Sequence, residues 1–177
     1  NSGLIALSGG PQGDIGQMLA AGKLDQADVR AQAWAQLFPG AYYIEVQRPS
    51  GRDGAAVAEV LVAASADLAA RLGLPLVATH PVQFLQPDDY KAHEARVCIA
   101  DGYVLGDTRR PKRYSPEQYF KTQAEMAELF ADLPEALQNS AEIARRCNLS
   151  LELGKSRLPD FPTPAGEPLE AFLASES

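Results

Sequence analysis

Short apolar runs alternate with longer amphipathic stretches over the first hundred residues of the chain. Residues 4–7 and 74–79 are continuous apolar runs bounded by glycine or polar residues, whereas residues 41–47 alternate with a period of two. A fully buried strand is apolar throughout, and a half-buried strand alternates between apolar and polar positions. The three segments are therefore predicted to be β-strands.

Helices are predicted around these strands from apolar spacing and from start and stop signals. In the longest, residues 54–71, apolar side chains recur at helical spacing, Asp53 is a predicted N-cap and Gly73 follows the end. Two capping boxes, Ser115 with Gln118 and Thr122 with Glu125, predict two further helix starts. The remaining predicted helices are residues 14–21, 26–37, 87–100 and 134–147.

The alternation of strands and helices predicts an α/β fold with parallel strands joined by helical crossovers. Residues 149–153 alternate again and predict a last strand, and the prolines that follow Gly154 predict an extended connector. We therefore divide the chain into a domain of residues 1–153 and a Pro-rich connector of residues 154–177. A sheet of three or four strands would expose its edges, so both ends are expected to be cut from a larger protein.

Composition narrows the classes of function. The chain has 177 residues, 46% of them hydrophobic, and a formal net charge of −7. This is typical of one folded domain and argues against a basic surface wrapped around nucleic acid. No apolar run approaches the roughly 20 residues that span a bilayer, so a cytoplasmic protein without membrane contact is expected. Cys98 and Cys147 fit no metal-binding spacing and are expected to be reduced thiols.

The end of the third predicted strand is a position where active sites commonly lie, but its residues are unsuited to one. Ligands of open α/β sheets bind at the carboxyl ends of the strands. Here the strand delivers His80, Pro81 and Gln83. Proline has no side-chain ligand, and an amide is a poor ligand for a transition metal. His80 and His93 are the only histidines, and without a clustered third partner they do not predict a metal site.

Two other segments carry candidate chemistry. The glycine-rich loop of residues 9–16 follows a strand and opens a helix, which is the context of a phosphate-binding loop, but it lacks the spacing of known motifs. A tight turn is the favoured interpretation, and a nucleotide-binding module remains an alternative. The only basic run supplies candidate contacts with DNA or a partner, although a solvated loop is favoured: Arg109, Arg110, Lys112 and Arg113.

Several segments resemble one family in the same order along nearly the whole chain. They include Gly3-Leu-Ile-Ala-Leu-Ser-Gly-Gly10 and Leu76-Val-Ala-Thr-His-Pro-Val-Gln-Phe84. The others are residues 92–96, 114–119, 125–130, 139–148 and 158–162. The family is the alpha subunit of bacterial DNA polymerase III. The resemblance covers the later half of its N-terminal PHP (polymerase and histidinol phosphatase) domain and the connector toward the palm.

This resemblance implies a fold and a set of site positions. The chain would be part of a distorted seven-stranded PHP barrel. Three metal-ligand positions of the family, a Cys, an Asp and a His, correspond to Gly10, Pro81 and Gln83, so a metal-free, non-catalytic region is implied. The resemblance further implies that this region supports the polymerase core and docks the epsilon proofreading exonuclease. Contact with DNA would be made through the parent protein. The catalytic carboxylates and their Mg²⁺ would belong to the palm, outside this chain.

Two alternatives remain beside that interpretation. An active metal-dependent phosphoesterase or 3'-5' exonuclease domain would need ligands that this segment lacks. The error-prone paralogue of the same polymerase is a variant of the leading interpretation, and residues 114–130 and 139–148 favour the replicative form.

Overall fold

A computed structural model describes residues 3–50, 56–155, 162–163 and 166–176. The chain divides into two compact units, Asn1–Cys147 and Asn148–Ser177. The predicted N-cap at Asp53 lies outside the described residues. None of the helices in the described ranges is long and apolar enough to cross a membrane.

The first unit is built on a parallel sheet with the order β1-β2-β3, where β1 is Ala6–Leu7, β2 is Tyr42–Gln47 and β3 is Leu76–Thr79. Ala6 is opposite Tyr42, and Ile44 is opposite Leu76. Helices connect the successive strands, so the α/β class with parallel strands and helical crossovers is confirmed. Three strands do not by themselves make a seven-stranded barrel.

Seven α-helices are formed by the described residues. Apart from the helix predicted to begin at Ser115, the predicted helices and their observed counterparts agree closely in the first unit, where glycines with positive φ follow α1, α3 and α4. Short 3₁₀ helices at Gly10–Gln12 and Pro87–Asp89 precede α1 and α4. The α-helices are α1 Asp14–Ala20, α2 Leu24–Leu37, α3 Ala56–Leu72, α4 Tyr90–Asp101, α5 Gln123–Leu129, α6 Pro134–Arg146 and α7 Leu169–Glu176.

Two hydrophobic clusters of the core lie on one face of the sheet. Tyr42 and Ile44 of β2 pack with residues of α1, α2 and α3, including the fully buried Leu68. Val46 of β2 and Ala78 of β3 pack instead with residues of α3, α5 and α6. Residues 42, 44 and 46 therefore face the helices. The intervening residues Tyr43, Glu45 and Gln47 face the other side of the sheet, because side chains alternate along a strand.

Three predictions about secondary structure were wrong. One hydrogen bond of the predicted capping box at Ser115 is present, because the Ser115 N–H donates to Gln118 Oε1 at 2.9 Å. No helix follows it. Residue Tyr119 instead forms a parallel bridge with Phe84, and the Phe120 N–H donates to the Phe84 carbonyl at 3.0 Å. Pairing with another segment has overridden the local helix signal.

The other two errors lie in the second unit. Residues 149–153 form no strand, and Leu149, Leu151 and Leu153 are at least 71% exposed. A period of two makes a strand only where a neighbouring strand pairs with it, and no described residue does so here. The segment predicted to be an extended connector contains the helix α7.

Candidate functional site

The carboxyl end of β1 brings the backbone of Gly10 close to the side chain of Gln47 at the end of β2. Gly10 is buried and has a φ of +53°, a conformation that glycine adopts far more readily than other residues. A Cβ atom at Gly10 would lie 3.1 Å from Cδ and 3.2 Å from Oε1 of Gln47. At the position that corresponds to a cysteine ligand in the resembled family, a side chain would therefore be strained by the backbone conformation and would crowd the Gln47 carboxamide.

Gln47 is held in this place by a network that joins β2 to β3. Its Nε2 donates to Glu45 Oε1 at 3.0 Å and to Thr79 Oγ1 at 2.9 Å. The Thr79 hydroxyl donates to the same oxygen of Glu45. The backbone N–H of Glu45 donates to Ser8 Oγ at 2.9 Å, which ties the network to the end of β1 as well. One oxygen of the Glu45 carboxylate, the one acidic group of β2, thus accepts hydrogen bonds from two side chains of the protein itself.

Pro81 and Gln83 follow β3 and are tied to the segment around Gln118. Gln118 Nε2 donates to the Pro81 carbonyl at 3.1 Å, and the Gln83 N–H donates to the Gln118 carbonyl at 2.8 Å. Two strand spacings, about 10 Å, separate the end of β1 from the end of β3. The three positions that the resemblance implies to be lost ligands, Gly10, Pro81 and Gln83, thus follow the carboxyl ends of the strands, where the network of Glu45, Gln47 and Thr79 also lies.

The two histidines do not converge on a ligand site. His80 Nε2 is hydrogen-bonded to the Glu117 carbonyl at 2.9 Å. The His93 ring packs against Phe84 and Tyr114, with ring-centroid distances of 5.4 and 4.7 Å. Both ring nitrogens of His93 and Nδ1 of His80 are buried without a hydrogen-bond partner in the described structure. Burial lowers the pKa of both imidazoles. Each is therefore held as the neutral form.

These residues do not fit the metal cluster of the resembled family. Within the described residues, no group of three or more His, Cys, Asp or Glu side chains is placed to hold an ion. Glu45 is bonded within its own network, Gly10 cannot carry a side chain without strain, and Pro81 has no ligand to offer. Besides Glu45 and His80, the side-chain donors at this end of the sheet are amides and hydroxyls, which transition metals bind poorly.

Arg48, directly after β2, is a buried residue that the sequence did not single out. It is 3% exposed, and all five of its N–H donors are used. They donate in bidentate pairs to Glu59 at 2.9 Å and to Asp132 at 2.8 Å, and to the Leu129 carbonyl at 2.8 Å. The hydrogen bond to Asp132 and, to a smaller extent, that to Glu59 raise the pKa of the Arg48 guanidinium. Arg48 therefore joins β2 and α3 to the segment between α5 and α6.

The three arginines of the basic run are paired with acids of this chain. Arg109 binds Asp107 in bidentate geometry, with NH2 to Oδ2 at 2.8 Å, and Arg113 NH2 lies 2.7 Å from Asp101. The Arg110 guanidinium is largely buried against the carboxylate of Glu94. Arg110 is thus held in the fold by its ion pair with Glu94, whereas the side chain of Arg109 is 84% exposed to solvent.

The glycine-rich loop is explained by close packing. A Cβ at Gly13 would lie 1.7 Å from the Ser8 carbonyl oxygen, and one at Gly16 would lie 2.1 Å from that of Gly10. The carboxylate of Asp14 accepts hydrogen bonds from the Ile15 N–H at 2.8 Å and from Trp34 Nε1 at 2.9 Å. A negative group already stands at the start of α1, which opposes an anion there. The arrangement favours the interpretation of this loop as a tight turn.

Comparison with known proteins finds a family model and a set of full-length relatives. A model for the PHP domain matches residues 1–49. The DNA polymerase III subunit alpha of Neisseria meningitidis serogroup A is 51% identical over 177 residues, which cover 100% of this chain and 15% of that protein. The subunit of the same name from Pseudomonas aeruginosa is 49% identical over 175 residues, 99% of this chain and 15% of that protein.

The corresponding protein of Escherichia coli K12 is 46% identical over 163 residues, 92% of this chain and 14% of that protein. The chain thus spans about 15% of the length of the curated relatives that it matches. The resemblance drawn from the sequence segments is confirmed.

Proposed function

Since the chain is related by sequence over its whole length to the alpha subunits of bacterial DNA polymerase III, we propose that it is a segment of such a subunit. The parent protein would be the polymerising subunit of the replicative polymerase, a cytoplasmic DNA-directed DNA polymerase. The chain would contact DNA only through that parent. The carboxylates that bind Mg²⁺ and make DNA would lie in the palm, outside these residues.

The segment itself is proposed to be a metal-free, non-catalytic part of the PHP domain. One observation carries this proposal: the carboxamide of Gln47 lies against Gly10, where a ligand side chain would have to stand. The hydrogen bonds of Gln47 and Thr79 to Glu45 support it, because a polar network between strand ends can hold the sheet edge together without an ion. The role of the segment is then to support the polymerase core.

The three parallel strands are proposed to be part of the seven-stranded PHP barrel. The match of residues 1–49 to the PHP domain model supports this, and so does the small size of the sheet. The remaining strands would come from the rest of the parent protein.

Metal analysis of the purified chain tests the non-catalytic role. After dialysis against Zn²⁺, Mn²⁺ and Fe²⁺ and desalting, the chain is expected to retain no stoichiometric ion and to hydrolyse no phosphate ester. A PHP domain that keeps the Cys, Asp and His ligands is the positive control. Stoichiometric binding together with phosphatase or 3'-5' exonuclease activity would instead establish the alternative of an active phosphoesterase domain.

We further propose that the PHP region docks the epsilon proofreading exonuclease. Its support is the relation to alpha subunits, and the test uses the complete PHP domain of the parent, since part of a barrel is a poorer probe. The complete domain is expected to capture epsilon under conditions where the full alpha subunit does. Capture by the full subunit alone would rule docking on this region out.

A further inference from the structure

Helix α6 lies along the outer edge of β3, where another strand would otherwise pair. In a parallel pair, alternate residues of a strand bond to the neighbour on each side. The Ile44 N–H donates to the Pro75 carbonyl at 2.9 Å, and Ile44 is opposite Leu76. The carbonyls of Leu76 and Ala78 therefore point away from β2, toward the free side of the sheet.

Two consecutive side chains of α6 satisfy these two carbonyls. Asn139 Nδ2 donates to the Leu76 oxygen at 2.7 Å, and the Ser140 hydroxyl donates to the Ala78 oxygen. The Ser140 hydroxyl also lies 3.1 Å from the Ala136 carbonyl of its own helix. The same helix reaches β2 at its other end, where Arg146 NH1 donates to the Tyr43 hydroxyl at 2.8 Å. The two outward carbonyls of β3 thus accept hydrogen bonds from side chains of α6, as they would from the N–H groups of a further strand.

The opposite edge of the sheet is different. The Ala6 and Ser8 N–H groups donate to Ala41 and Tyr43, so the polar groups of Leu7 point to the outer side of β1. Among the described residues no strand pairs on that side. Leu4 and Leu7 are 59% and 38% exposed there. Within the described residues, the edge at β3 is therefore covered by α6, whereas the edge at β1 has no strand beside it.

We propose that Asn139 and Ser140 form an edge cap that ends the sheet at β3, so that a further strand can join only at β1 and the ring of strands in the proposed barrel is interrupted beside β3. An uncapped strand edge is a template for pairing with another chain, and proteins commonly cover or charge such edges. The capping role rests on the contacts of α6 alone and is independent of the proposed polymerase function.

The test removes the two donors with little change in volume. The Asn139→Leu/Ser140→Ala variant of the 177-residue chain is compared with the unsubstituted chain by sedimentation velocity over a range of concentrations. The variant is expected to form a concentration-dependent dimer or larger species beyond any that the unsubstituted chain forms. In that species the outward amides of Leu76 and Ala78 are expected to exchange roughly tenfold more slowly than in the dilute variant, because they become paired.

Two further variants keep the result decisive. Gln138→Ala removes an exposed amide from the neighbouring position of α6, and Ser140→Thr keeps the hydroxyl donor; both are expected to behave as the unsubstituted chain. If the double variant does not fold, the single Ser140→Ala variant is measured against Ser140→Thr in its place. A folded variant that sediments as the unsubstituted chain, or a Ser140→Thr variant that associates as Ser140→Ala does, would overturn the proposal.

Discussion

The carboxamide of Gln47 lies where a side chain at residue 10 would begin. The nearest atoms to an added Cβ at Gly10 are Cδ and Oε1 of Gln47, at 3.1 and 3.2 Å, and the backbone φ of +53° is unfavourable for any other residue. Gln47 in turn is bonded to Glu45 and Thr79. The glycine at residue 10 and the polar network on β2 and β3 are therefore parts of one arrangement.

Restoring the two ligands after β3 is expected to leave the chain without metal. In a Pro81→Asp/Gln83→His variant, the position at Gly10 still offers no side chain, and Glu45 is still bonded to Gln47 and Thr79. Elemental analysis after dialysis against Zn²⁺ and Mn²⁺ is expected to give the same background as the unsubstituted chain. Stoichiometric metal in this variant would show that residue 10 is not needed.

A side chain at residue 10 is expected to destabilise the fold. Gly10→Ala forces a residue with a Cβ into the left-handed region, which costs about 1–2 kcal/mol of unfolding free energy. Urea unfolding measures the loss. Gly22→Ala is a suitable control, since Gly22 has a φ of +70° and nothing within 4 Å of an added Cβ, so it carries the conformational cost without the contact.

The difference between the two alanine variants isolates the contact with Gln47. If it arises from that side chain, the cost of Gly10→Ala measured in a Gln47→Ala background, which already lacks the Gln47 hydrogen bonds, falls to that of Gly22→Ala. If Gly10→Ala and Gly22→Ala lower the free energy of unfolding equally, the Gln47 side chain moves aside without cost and does not block a side chain at residue 10.

Removal of the Arg48 side chain is expected to separate β2 from the segment that joins α5 and α6. Arg48→Met leaves the Leu129 carbonyl and the carboxylates of Glu59 and Asp132 without their donor. The two acidic side chains are 35% and 42% exposed and can regain water, so the expected loss is about 2–3 kcal/mol rather than more.

An exposed arginine on α6 supplies the control for Arg48. Arg145 is 74% exposed and pairs with Glu142 one turn away, and pairs of this kind contribute about 0.5 kcal/mol or less. Unfolding of Arg48→Met and Arg145→Met in the same denaturant gives the comparison. Equal midpoints would mean that the buried guanidinium does not join the elements as its contacts indicate.

The sequence predicted the strands and most helices because their signals are local. Alternation along β2 was enough to place Tyr43, Glu45 and Gln47 on one face. The partners of Arg48 lie 11 and 84 residues away, and no local period reports such a contact. The capping box at Ser115 was misleading for the same reason, since the pairing of Tyr119 with Phe84 depends on a segment far along the chain. The implied ligand positions came from family resemblance. The contact of Gln47 with Gly10 joins two strand ends that are distant in the sequence, so no local pattern predicts it.

The buried imidazole of His93 is expected to make the fold sensitive to mild acid. Burial lowers its pKa below the value of 6.5 that an exposed histidine has, and nearby Arg96 acts in the same direction, while Glu94 opposes them. Below pH 6.5 the unfolded chain binds a proton that the folded chain excludes, so stability is complete above that pH and falls as the pH drops toward the folded pKa. Arg110 is paired with Glu94, and the rings of Phe84 and Tyr114 pack against the imidazole.

Urea unfolding between pH 8 and pH 5 measures this dependence. A His93→Leu variant is expected to lose much of the slope, and the part that remains belongs to His80, whose pKa burial also lowers. Glu125 does not contribute in this range, because hydrogen bonds from Tyr119 and Thr122 lower its pKa to about 2 and its stabilisation is lost only below pH 4.5. A variant that keeps the full slope would show that His93 is protonated as readily in the folded chain as in the unfolded one.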